Sequence, residues 1–237
     1  MATGDYRTFS EAVRGPDEKI DLGRAALAIA HGEYPDLDVE SYVARLDSLA
    51  RICEERAGGE INPYRLIAAI NTVLFKQEGF RGNRDDYYDP RNSFLNEVLD
   101  RKTGLPITLS VLYMEVGKRV GLSVQGVGFP GHFLVRYAGP DEKIIQILKR
   151  MLNNLKGIYL RRAEFGKGLS VVERLVILEP DSAQAIRDRG LLYLKLECFS
   201  QALEDLEAYL GMAGDAGDQE IIRERVVSLK KRVTQIH

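Results

Sequence analysis

The stretch Asn92-Ser-Phe-Leu-Asn-Glu-Val-Leu-Asp-Arg-Lys-Thr-Gly-Leu-Pro-Ile-Thr-Leu-Ser-Val-Leu-Tyr-Met-Glu-Val-Gly-Lys-Arg-Val-Gly-Leu122, followed by Gly126-Val-Gly-Phe-Pro-Gly-His-Phe-Leu-Val-Arg136, carries the pattern from which the rest of the chain is placed. Phe94, Leu95, Val98 and Leu99 recur at helical spacing, and Gly104 suits the left-handed position that ends such a helix. Gly104-Leu105-Pro106 opens another helix, because proline lacks an N–H and is tolerated at the first helical position. Leu109, Leu112, Val116 and Val120 mark its face, and Gly121 closes it. After Gly121 the period changes. Residues 122–129 carry Val124 and Val127 between small residues, and residues 132–137 alternate Phe133, Val135 and Tyr137. Two short strands are expected there, with Pro130-Gly131 turning between them.

Upstream, the sequence reads as helices. Leu22, Ala25, Ala26, Ile29 and Ala30 form one apolar stripe, ended by Gly32 and Pro35. Asp38 can cap a helix bearing Val39, Tyr42, Val43, Leu46, Leu49, Ala50 and Cys53 on one face, so Cys53 continues a core stripe. Asn62-Pro63 pairs an N-cap with a proline at the first helical position and starts a third helix, with Leu66, Ile67, Ile70, Val73 and Leu74 apolar. The polar run from Arg81 to Pro90 holds three acids, Asp85, Asp86 and Asp89. Its Asp, Asn, Gly and Pro content reads as turn chemistry rather than a metal loop.

From Ile147 onward the chain is helical again, and it repeats. Tyr159 and Tyr193 are 34 residues apart, as are Lys156 and Gly190, Gly168 and Ala202, and Val172 and Leu206. That period is the one of the tetratricopeptide repeat. Two copies are expected, with a last amphipathic helix from about 219 to 233 covering the exposed face of the second. The expected division is 1–145 for the first domain and 146–237 for the repeat module. Asn153 and Arg187 share an equivalent first-helix position, where they are candidates for receiving a protein or peptide partner.

Composition excludes several classes of function. The 33 Lys and Arg nearly balance the 35 Asp and Glu, which argues against a nucleic-acid-binding surface. There is no Trp and only 8% aromatic residues, so a base-stacking platform is not expected. The two cysteines, Cys53 and Cys198, form neither a CxxC pair nor a disulfide framework, and no metal or other cofactor is expected. No apolar run approaches the roughly 18 residues that a membrane span requires. The N-terminus lacks the apolar core of a secretory signal, so a cytoplasmic location is expected.

The helix opened by Gly-Leu-Pro and the strand opened by Pro-Gly-His resemble the SirB-type branch of the transglutaminase-like superfamily, bacterial proteins that join this domain to tetratricopeptide repeats. The resemblance spans the chain from about Asp21 onward. It implies an α+β, mostly helical, papain-related N-terminal domain with a small antiparallel sheet, followed by an all-α repeat module. In active members a Cys at the helix N-terminus is the nucleophile, a His on the following strand is the base, and an Asp on the next strand orients the His. Here His132 matches the base. The nucleophile position falls among Pro106, Ile107 and Thr108, none of which is a thiol. The strand that would bring the Asp is also missing: residues 141–145 lead almost directly into residues 146–151, so a segment is expected to be absent near Ile145, by deletion or by omission.

The expected function is therefore that of a non-catalytic or degenerate transglutaminase-like protein, a scaffold or regulatory factor acting through its repeats. The alternative is a cysteine-less amidohydrolase or peptidase-like enzyme. In that reading His132 is the base, Thr108 a nucleophile or polar aid, and the helix N-terminus near Ile107 and Thr108 stabilises an oxyanion.

Overall fold

Helix α6 (Pro106–Arg119) forms the axis of the N-terminal half of the chain, with five α-helices and two very short strands before it and a strand hairpin after it. The computed structural model describes residues 3–58, 62–129, 132–137, 144–212 and 217–236. Ahead of α6 come α1 (Thr3–Ala12), α2 (Leu22–Ala30), α3 (Val39–Ala57), α4 (Pro63–Asn71) and α5 (Leu95–Arg101). Strands β3 (Val124–Phe129) and β4 (His132–Tyr137) follow it. The caps read from the sequence are present. Asp38 Oδ1 accepts the Ser41 amide at 3.2 Å, and Asn62 Oδ1 accepts those of Tyr64 and Arg65. Gly58 ends α3 at φ 77°, where a side chain would be strained.

α6 is enclosed on several sides. It packs against α2, α3, α4, α5, β3 and β4, and Ile107, Thr108, Val111, Leu112, Tyr113, Glu115, Val116 and Gly117 are buried. At Gly23 of α2 an added Cβ would lie 2.5 Å from Glu115 Oε2. At Gly117 one would lie 3.0 Å from Val124 Cγ2, which is how β3 comes close to the helix. The buried Glu115 is neutralised within its own helix by Arg119 at 2.6 Å, whose Nε also reaches Asp47 of α3 at 2.7 Å.

Three local features differ from the sequence reading. The left-handed residue after α5 is Lys102, φ 58°, and not Gly104. Gly104 instead lies in β2 (Thr103–Gly104), which pairs in parallel with β1 (Arg81–Gly82). There its Cβ would sit 2.6 Å from Val98 Cγ2 and 3.3 Å from the Asn92 carbonyl, so the glycine serves close approach and not helix termination. Beyond α4 the backbone widens into a π-helical turn over Thr72–Gln77, with the Glu78 amide donating to the Val73 carbonyl at 2.8 Å.

β3 and β4 form an antiparallel hairpin in the register Phe129–His132 to Val124–Tyr137. Helix α7 (Ile144–Arg161) follows, its first amides capped by the Asp17 carboxylate at 2.8 Å. α8 (Phe165–Leu178), α9 (Ala183–Lys195), α10 (Phe199–Met212) and α11 (Gln219–Ile236) complete the chain. Packing divides it into two units, Met1–Asn154 and Leu155–His237; this division falls in the middle of α7, nine residues beyond the expected boundary at 145–146, which lies in that helix's first turn. In the second unit α9 crosses α10 at Gly190, where a Cβ would meet Asp205 and Leu206 at 3.0 Å. Ala202, Leu206, Tyr209, Ile222, Val226 and Leu229 gather there into an apolar core with Ile186. Among the described residues no helix is long and apolar enough to cross a membrane.

Candidate functional site

The N-terminus of α6 is fastened to the loop that precedes α5. Leu105 precedes the helix with an extended backbone and no side-chain cap, and Pro106 takes the first helical position, where its missing N–H costs nothing. Leu105 donates its own amide to the Asn92 carbonyl at 2.9 Å, and the Asn83 amide donates to the Gly104 carbonyl at 3.3 Å. The loop from 81 to 92 is thereby fastened to the helix start. Its interior is held by Asn92, which is fully buried. The Asn92 Nδ2 donates to the carbonyls of Asp86 at 2.7 Å and Tyr87 at 3.3 Å, and its Oδ1 accepts from Asn83 Nδ2 at 3.1 Å. Asn83 Oδ1 in turn accepts the amides of Asp85 and Asp86, an Asx turn.

The three acids of this loop do separate work. Asp89 is buried and joined to Arg91 at 2.8 Å and Arg101 at 3.1 Å. Burial alone would raise its carboxyl, but the hydrogen bonds from Arg91 and the charge of Arg101 override it and hold it below the usual carboxylate range. Asp85 and Asp86 contribute their amides to the turn on Asn83. Among the described residues no group of three or more His, Cys, Asp or Glu side chains is placed to hold a metal ion.

Thr108 stands in the first turn of α6, and its side chain is wholly enclosed. Its Oγ1 has no hydrogen-bond partner, and the same is true of Ser93 Oγ and Asn96 Oδ1 on the neighbouring turn and helix. His132 is placed at the start of β4, opposite Phe129; its imidazole lies outside the described residues. Cys53 is fully buried in α3, within electrostatic reach of Tyr113 in the middle of α6, and burial pushes its thiol up to about 11. Cys198 belongs to the second unit, its Sγ 3.6 Å from the Leu196 carbonyl. Cys53 is thus in α3 and not at the first turn of α6.

The two residues singled out for partner binding are used locally. Asn153, exposed, donates its Nδ2 to the Lys149 carbonyl at 2.9 Å. Arg187 pairs with Asp188 at 2.9 Å and Asp218 at 2.6 Å, and it lies 5.8 Å from the ring centre of Tyr209. Lys156, which stands 34 residues before Gly190, reaches Asp188 at 2.8 Å. Asn92, Ser93 and Asn96 were missed by the sequence reading. The signal available was a set of small polar residues beside Phe94, Leu95, Val98 and Leu99 in a segment too apolar to face water.

The chain is 34% identical over 268 residues to a UPF0162 protein of Xylella fastidiosa, covering 93% of this chain and 94% of that protein. It is 25% identical over 252 residues to a UPF0162 protein of Vibrio cholerae, covering 90% and 93%. In both cases the aligned length exceeds what this chain of 237 residues contributes, so these relatives carry several tens of residues with no counterpart here. A stretch of 105 residues, 44% of this chain, is 45% identical to F-box only protein 21 of Mus musculus and makes up 15% of that protein. No solved structure matches. The family model for the transglutaminase-like superfamily matches residues 40–193, from the start of α3 to the end of α9, and this chain belongs to that superfamily.

Proposed function

We propose that the chain is a transglutaminase-like protein without the thiol chemistry of its superfamily, acting as an interaction or regulatory factor through helices α7 to α11, read as two tetratricopeptide-type repeats and a covering helix. One observation carries this reading. The first turn of α6, where a nucleophile would gain from the helix dipole, presents Pro106, Ile107 and a Thr108 hydroxyl that is wholly enclosed. An attacking oxygen must be reachable by substrate and in contact with a base. Cys53 does not substitute for it, because burial moves its thiol away from the ionised form that attacks.

The test is turnover against a panel of small amide and peptide substrates with the wild type and His132→Ala. No turnover by either protein is expected. Turnover by the wild type that disappears in the variant overturns the reading in favour of a cysteine-less hydrolase with His132 as base. On the repeat side, Arg187→Glu is expected to weaken capture of a protein partner, and unchanged capture counts against a role for that helix face. Because Arg187 also holds Asp188 and Asp218, Asn153→Ala serves as a second variant that leaves those ion pairs in place.

A further inference from the structure

We draw no further inference here: the strongest candidate, the cavity of about 710 Å³ between the end of α6, the start of β3 and the first turn of α7, is bounded by Val124, which pairs with Tyr137, and by Ile144, and residues 138–143 between those two points lie outside the described residues, so nothing in the structure shows what fills it.

Discussion

The main-chain carbonyl of Asn92 accepts the amide of Leu105 at 2.9 Å, so the loop that begins at Arg81 and the helix that begins at Pro106 share one anchor. The fully buried Asn92 side chain keeps that carbonyl in place through three hydrogen bonds. Asn92→Ala leaves the carbonyls of Asp86 and Tyr87 without their donor and is expected to cost about 3 kcal/mol, read as a lower urea midpoint. Asn92→Asp is expected to cost at least as much at neutral pH, because it turns a carboxylate oxygen towards those two carbonyls.

Gly104→Ala tests the close approach of β2 to α5. The new methyl would overlap Val98 Cγ2, and a loss of about 2 kcal/mol is expected. Pairing it with Val98→Ala removes the obstructing atom, so the double variant is expected to lose less than the sum of the two single losses, as measured by chemical denaturation.

Thr108→Val replaces a buried hydroxyl that has no partner by a methyl of the same shape. The chain is expected to become more stable, by up to about 1 kcal/mol, because the desolvation of the hydroxyl is relieved. A loss of stability would reveal a partner for Oγ1, and it would be visible as a lower melting temperature.

Asp89 makes stability depend on acidity. Its carboxyl is held below its ordinary value when folded, so its contribution is fully present above the unfolded value, about 3.9, and is lost as pH falls through the folded value. Asp89→Asn is expected to be less stable than the wild type at pH 7, with the gap narrowing below about pH 4. Urea midpoints across that range check the sign.

The cysteines should separate by reactivity. Burial raises the Cys53 thiol to about 11 and closes it off from reagent, whereas Cys198 is only partly buried. A disulfide reagent at pH 8 is expected to modify Cys198 readily and Cys53 only after denaturant is added, followed as absorbance of the released thiolate.

Much of the fold was legible where local chemistry decides it. Asp38, Asn62-Pro63, Pro106 and Gly121 mark helix ends by capping and backbone geometry, and these act within a few residues. The two strands of the hairpin were legible for the same reason, while the turn expected at Pro130-Gly131 lies outside the described residues. What was not legible depends on distant chain. The apolar stripe of α6 gave one face, Leu109, Leu112, Val116 and Val120, but a helix surrounded by six elements buries polar positions too. Thr108 and Glu115 are enclosed for that reason, and periodicity carries no trace of it. Gly104 looked like a helix terminator because nothing nearby in sequence announces that Arg81 and Gly82 will lie beside it. At the candidate site, the missing thiol was readable from the residues alone, whereas the enclosure of the Thr108 hydroxyl required the packing.

The wide turn at Thr72–Gln77 has a consequence for insertions and deletions. It holds one residue more than a regular helix would use over the same length, and it delivers Phe75 to a stack on Tyr113 with ring centres 6.2 Å apart. Removing a single residue there would return the backbone to regular winding with the chain on either side in nearly the same phase, so the change would fall on the side chains of the turn itself. Phe75 would then shift off Tyr113, so the length of this short segment, more than the identity of its side chains, sets what it supports.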